Sequence, residues 1–332
     1  MATTARGRKG GVGLVLGGGG FVGGAWLVGA LQGLATEVGW DPATADCVLG
    51  TSAGAMIGSL VVGGLRPEEL AAFAHGAVVG PADDAGAAAE RLEMMALQVH
   101  RRLPLPLPGS PRLALRSLRH PGRYPGLTRM AAWLPRGIMS TDPLKRTVRR
   151  LVPRGWVKGR RLWVVAADYE TGAATVFGQP ASPHADLPDA VAASCAIPGF
   201  YHPVEVGEHC YIDGGVRSPS NLDLVAGLGL DVVVCLNPTS SRRSAGGRGW
   251  RDRLANLVRE NSRRMVERER AIVEAAGTRV ILLEPNPADL ETMGPNLMRR
   301  DNLKEVVAQA AAGIRRRAQS AGLRDLGLSP AA

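Results

Sequence analysis

Ser52 sits in Gly50-Thr-Ser-Ala-Gly54, a G-x-S-x-G. That spacing belongs to a strand-to-helix turn so sharp that only very small residues fit two positions before and two after the serine. The turn lifts the hydroxyl out of the sheet edge at a helix N-terminus, where amides and dipole favour a developing anion. Gly-rich chains produce the bare pattern by chance, but here it follows the apolar run Cys47-Val-Leu49 and precedes an apolar helix. In that context Ser52 reads as a nucleophile rather than as a structural Gly-Ser turn.

A serine nucleophile needs a base. Six histidines are present: His75, His100, His120, His184, His202 and His209. His184, His202 and His209 remain open as bases, although none has a signature around it. Asp213 is different in kind. Asp213-Gly-Gly215 follows Tyr211-Ile212, which puts a carboxylate at a strand end beside glycines that permit close backbone approach. A carboxylate bonded directly to the serine can hold and activate it without imidazole. The plainer reading, an Asp opening a Gly turn, is common by itself.

A second anion-seeking element lies upstream. Leu16–Gly24 reads LGGGGFVGG, and Gly18, Gly20 and Gly23 spell G-x-G-x-x-G. Such a loop cradles a dinucleotide pyrophosphate, or aims bare amides at another anion. A dinucleotide site needs an acid at the end of the second strand for the ribose. Gly50-Thr51-Ser52 occupies that place, and Asp46 lies at the strand's start.

These residues require a particular scaffold. Val12–Leu16, a glycine turn and a helix over Ala25–Val38 are followed by Cys47–Leu49, a second glycine turn and a helix to about Val62. Strand, tight turn and helix, repeated, is the mark of parallel βαβ units. Pro67 opens a further helix, and Glu90–Arg101 is amphipathic. Residues 103–136, with LPLPLPGSP and HPGRYPG, read as an irregular insertion. Asp142–Leu151 resumes as a helix. Leu162–Ala167 and Ala174–Phe177 read as a hairpin, Leu187–Ala193 as a helix, and Leu230–Leu236 as a buried strand. Residues 249–276 read as a long charged helix with apolar positions at Leu254, Leu257, Val258, Met265 and Ile272. A last strand, Val280–Leu283, and a last helix, Asn302–Arg317, complete the order. The expectation is one catalytic domain over 11–320, with a basic Pro-rich insertion at about 101–136 and tails at 1–10 and 321–332.

Composition narrows the class. The 332 residues are 45% hydrophobic and 4% aromatic, enough for a core of Val, Leu, Ala and Ile. Cys47, Cys195, Cys210 and Cys235 show no metal or disulfide spacing, and Cys195 reads as a small packed side chain. Asp168, in AADYETG, reads as a turn residue. No signal-peptide h-region follows the basic N-terminus, and no uninterrupted apolar run is long enough for a spanning helix. A cytoplasmic protein is expected. The net charge of +10 is uneven: residues 101–161 hold sixteen Lys and Arg against one acid, Asp142. That segment reads as a solvated surface or as a lid meeting anionic lipid headgroups, with Leu103, Leu105, Leu107 and Trp133 for apolar contact. No nucleic-acid motif accompanies the charge.

Four motifs in order, Gly17-Gly-Gly-Gly20, Gly50-Thr-Ser-Ala-Gly54, Ala193-Ser-Cys-Ala-Ile-Pro198 and Asp213-Gly-Gly215, resemble the patatin-like phospholipase family, over most of 11–236. VAASCAIPGF and YIDGGVRSPSN are similar to bacterial members. The resemblance implies a three-layer α/β/α fold with a central, mostly parallel sheet. It also implies a Ser–Asp dyad acting on acyl esters, with lipid as substrate and no cofactor. By position Ser52 is then the nucleophile, Asp213 its partner, and Gly18, Gly19 and Gly20 lie where the family's oxyanion-hole amides lie. One departure stands out: the family's glycine motif continues x-Arg-Gly, whereas here Phe21-Val22-Gly23 has no Arg. That departure is what supports the rival reading, a catalytically silent relative that binds lipid or a partner.

Overall fold

The computed structural model describes residues 11–75, 107–242 and 250–320. The expected helix at 90–101, residues 101–106 of the insertion, both tails and most of the loop at 241–248 lie outside the described residues. The strands are β1 (Val12–Leu16), β2 (Cys47–Thr51), β3 (Arg161–Asp168), β4 (Ala174–Phe177), β5 (Val204–Val206), β6 (His209–Asp213), β7 (Val232–Leu236) and β8 (Arg279–Leu283). The helices are α1 (Gly20–Gly33), α2 (Ala53–Val62), α3 (Pro67–Ala74), α4 (Pro111–Arg119), α5 (Gly126–Trp133), α6 (Asp142–Leu151), α7 (Leu187–Ser194), α8 (Trp250–Ala275), α9 (Pro287–Met293) and α10 (Leu303–Ser320).

The sheet runs β5-β6-β3-β2-β1-β7-β8, with β4 also paired to β3. β3, β2, β1, β7 and β8 are mutually parallel, while β4, β5 and β6 pair antiparallel. Parallel strands covered on both faces read as continuous apolar runs, as VGLVL and VVVCL do here. Alternate residues divide between two layers. Leu14, Leu16, Val48, Leu162, Val164 and Val234 join α1, α2, α7 and α10 in one core. Val15, Cys47, Leu49, Trp163, Val165 and Val233 join Val266 and Val273 of α8 in the other.

Strand β3 has a feature that positions the site. β4 pairs with Val164–Ala167 along one edge. β2 ends on the other edge at Thr51↔Val165. β6, coming from the opposite direction, ends on that same edge at Ala166↔Asp213. β2 and β6 therefore meet tip to tip, and the residues at the meeting point are Ser52 and Asp213.

α1 starts at Gly20, earlier than the apolar pattern suggests, and ends in a π-helical turn over Leu34–Val38. Gly20–Val38 is apolar and long enough to span a membrane, but two-thirds of it is buried inside the fold. Gly29 and Gly33 let it lie directly against α10: a methyl group at Gly29 would stand 2.8 Å from Ala310 Cβ, and one at Gly33 2.8 Å from Ile314 Cβ.

One expectation needs correction. The insertion is not irregular where it is described, since α4 and α5 occupy much of 111–133. The prolines start these helices instead of breaking them. Pro111 fills the first turn, where no amide partner is needed, behind a Ser110 cap that accepts from the Leu113 amide at 3.2 Å. The apolar positions of α8 do not all face the core. Leu257 is 68% exposed and Ile272 52%, whereas Arg259, Ser262, Val266, Glu269 and Val273 are buried. Both sets follow helical spacing, and the inner one carries three polar residues.

Candidate active site

Ser52 holds φ 54° and ψ −119°, a left-handed conformation rare outside glycine. The flanking glycines are sterically required. A methyl group at Gly50 would stand 2.5 Å from Ala55 Cα, and one at Gly54 2.5 Å from the Leu16 carbonyl carbon. The strained turn is braced from α7. Ser194 Oγ accepts the Ser52 amide at 2.8 Å and donates to the Val165 carbonyl at 2.6 Å. α2 then begins at Ala53, so its unpaired first-turn amides lie beside the serine.

Asp213 ends β6 and is almost fully buried. Gly215 N–H donates to its Oδ1 at 2.7 Å, and the Ser52 hydroxyl faces the carboxylate. Burial pushes the carboxyl up to about 6, against the Ser52 hydroxyl and the Gly215 amide, which favour the ionised form. The group is therefore mostly a carboxylate at neutral pH and within reach of a proton. Burial keeps the Cys195 thiol protonated and poorly nucleophilic.

The glycine loop lies against the serine: a methyl group at Gly18 would stand 3.3 Å from Ser52 Cβ. Of the three expected oxyanion donors, Gly18 is corrected. Its amide donates to the Pro219 carbonyl at 2.8 Å, so it is committed to holding the loop. Among the described residues, the amides of Gly19 and Gly20 have no protein acceptor. The absent arginine is answered from the C-terminal part of the chain. Val22 is buried, its amide donates to the Leu297 carbonyl at 3.0 Å, and Arg300 stacks 3.8 Å above the Phe21 ring.

Ser218–Asn221 closes the site from below. Asn221 is fully buried at φ 50°, a conformation asparagine tolerates. Its Nδ2 donates to Thr51 Oγ1 at 3.1 Å, the Gly214 carbonyl at 3.3 Å and the Ser218 carbonyl at 2.6 Å. One amide thus touches the residue before Ser52 and the residue after Asp213.

The remaining candidates stand apart. Asp168 caps its own turn, accepting from the Glu170 and Thr171 amides at 2.9 and 2.8 Å, and pairs with His209 Nδ1 at 3.0 Å. His209 lies four residues down β6 from Asp213, about 13 Å away at strand rise. His202 Nδ1 faces the Pro203 carbonyl. His100 lies outside the described residues. β2 ends at Thr51 with no acid for a ribose, which removes the geometry of the dinucleotide reading. Ser194, Pro219 and Asn221 escaped the sequence reading. Ser194 and Asn221 lie inside VAASCAIPGF and YIDGGVRSPSN, so each motif contained a brace beside the residue that drew attention.

A family model described as patatin-like phospholipase matches residues 14–226. Among solved structures, the chain is similar to VipD from Legionella pneumophila, with 14% identity, a TM-score of 0.40, and 92% of this chain and 72% of that one covered. It is similar to the type III effector protein ExoU, with 17% identity, a TM-score of 0.35, and 96% of this chain and 54% of that one covered. It thus spans about half the length of ExoU. The family match ends before α8, β8, α9 and α10.

Proposed function

The chain belongs to the patatin-like phospholipase family, and from that premise we propose that it is a serine acyl-ester hydrolase acting on lipid. Ser52 Oγ attacks the ester carbonyl while Asp213 accepts the hydroxyl proton. The carbonyl oxygen becomes an oxyanion facing the amides of Gly19 and Gly20 and the N-terminus of α2. Donors fixed in advance cost little reorganisation as charge develops, and one such donor is typically worth about 10²–10³ in rate. The tetrahedral intermediate collapses to an acyl-Ser52, and Asp213 returns its proton to the departing alkoxide. Water then attacks the acyl-enzyme with Asp213 as base again, releasing the fatty acid and restoring Ser52.

The observation that carries this reading is the placement of Ser52, at a strained strand-to-helix turn, tip to tip with Asp213 on one edge of β3, beside amides with no protein acceptor. A fluorophosphonate probe tests it. The reading expects covalent labelling at Ser52, blocked by Ser52→Ala, together with release of fatty acid from phospholipid or simpler esters. Absence of both labelling and hydrolysis in folded protein would favour the silent lipid- or partner-binding relative.

The part of the basic segment that is described supports contact with an anionic membrane. Leu107, Leu115, Leu118, Met130, Trp133 and Ile138 are exposed there, and Arg119, Arg123 and Arg129 are exposed among them. The segment is anchored at the site: Thr128 Oγ1 donates to the Val216 carbonyl at 2.8 Å, and Met139 bridges to Tyr201. Apolar side chains would enter the headgroup region while each arginine adds on the order of 1 kcal/mol against anionic lipid. Vesicle sedimentation across a salt series checks this, and equal binding to neutral and anionic vesicles at low salt would count against it.

A further inference from the structure

Glu269 projects from the inner face of α8, a helix beyond the family-matched segment, and is buried. A buried carboxylate is expensive unless its oxygens are satisfied. Here Oε2 accepts from Ser220 Oγ at 2.5 Å and from the Leu222 amide at 3.0 Å. Both donors belong to one short loop, in which Ser218 Oγ accepts from the Ser220 and Asn221 amides.

That loop touches every part of the site. Pro219 receives the Gly18 amide and so fixes the glycine loop. Asn221 reaches Thr51, next to Ser52, and Gly214, next to Asp213. Arg217 secures the same loop by donating to Asn221 Oδ1 at 2.7 Å and to Asp223 at 3.1 and 2.5 Å. Glu269 is the point at which this loop is tied to the helical layer. It touches neither Ser52 nor the expected oxyanion amides, so its effect passes through Pro219 and Asn221.

We propose that Glu269 is a positioning residue for the acyl-transfer site, holding Ser218–Leu222 so that the glycine loop, the Ser52 turn and the Asp213 turn stay in register. This rests on the hydrolase reading above. Misplacement of about 1 Å at such a site costs about 10²-fold in rate.

The test uses the full chain and three variants. Glu269→Gln retains an acceptor oxygen where Oε2 stands and should keep kcat within about threefold of wild type. Glu269→Leu removes the acceptor and should lower kcat about 10- to 100-fold with KM within about twofold, because the lost geometry serves the transition state. Glu269→Leu also leaves the Ser220 hydroxyl and the Leu222 amide without their acceptor, at about 1–3 kcal/mol in stability, so kcat is compared well below the melting temperature of each variant. Ser220→Ala should lower kcat in the same direction and add nothing in the Glu269→Leu background, since both cut the same bond. Unchanged kcat in Glu269→Leu, equal losses in Gln and Leu, or full additivity with Ser220→Ala would overturn the proposal. Amide hydrogen exchange over residues 16–21 gives a readout independent of turnover. It should speed up in Glu269→Leu, or in Ser220→Ala if the Leu variant does not fold, and not in Glu269→Gln. No acceleration overturns the coupling. If the wild-type chain hydrolyses no ester, the hydrolase reading fails, and exchange alone decides whether Glu269 holds the loop.

Discussion

Replacing Asp213 by Asn should abolish hydrolysis and make the protein more stable. Burial raises the Asp213 carboxyl from 3.8 to about 6. A shift of a little over two units corresponds to about 3 kcal/mol. Between about pH 4 and 6 the native state binds the proton that the unfolded chain has released, so stability falls as pH rises through that window. Above it the whole of the ionisation cost is present. Asn is neutral throughout, keeps an oxygen for the Gly215 amide at the 2.7 Å position, and offers an N–H to Ser52 Oγ. The variant should therefore exceed wild type by about 3 kcal/mol at pH 8, about 4 °C in melting temperature for a chain of this size. The gap should close towards pH 4, where both side chains are neutral. Hydrolysis should drop by on the order of 10³ or more, because no base remains to activate Ser52. Urea or thermal melts at pH 8 and pH 4.5, beside a fatty-acid release assay, measure both quantities. A variant no more stable than wild type at pH 8, or a gap that does not change with pH, would refute the assignment of a buried, ionised Asp213.

The same carboxyl sets the pH response of turnover: kcat/KM should rise as pH passes through about 6 and level off above it, and a profile flat from pH 5 to 8 would separate Asp213 from the base role. Ser194→Ala strips the acceptor from the Ser52 amide and the donor from the Val165 carbonyl. It should cost about 1–3 kcal/mol and lower kcat more than it raises KM, which melts and steady-state kinetics check together. Gly29→Val drives a branched side chain into Val307 and Ala310 and should destabilise by about 1–3 kcal/mol or more through separation of α1 from α10, with normal stability in urea melts counting against the contact. Trp133→Glu should weaken sedimentation with anionic vesicles while leaving turnover of a soluble short-chain ester within about twofold.

The G-x-S-x-G turn, the Asp213 turn and the parallel core were legible because each rests on local rules: glycine where a side chain collides, continuous apolar runs in the strands, a polar residue at a strand end. Ser194 and Asn221 were not, since a buried serine or asparagine has no periodic signature and acquires meaning only from its partners across the fold. Gly18 was misread for a related reason. Nothing local separates a glycine whose amide is free from one whose amide is taken by Pro219. The inner face of α8 was not legible because Glu269, Ser262 and Arg259 look like solvent-facing residues by type yet are buried. The prolines of 111–125 looked like breakers because their role depends on whether they open a turn or interrupt one, and α4 and α5 open with them.

The shared edge of β3 has a further consequence. Since Thr51 is opposite Val165 and Asp213 opposite Ala166, the spacing of Ser52 and Asp213 is measured along a single strand. Material added between Ser52 and Asp213 in any connecting loop, including the whole of α4 and α5, leaves that spacing unchanged. One residue inserted into β3 between Val165 and Ala166 would open it by about 3.3 Å and turn the faces of the strand over. The chain is thus free to lengthen, charge or reshape its basic segment over evolution while an eight-residue ruler keeps Ser52 and Asp213 at fixed reach.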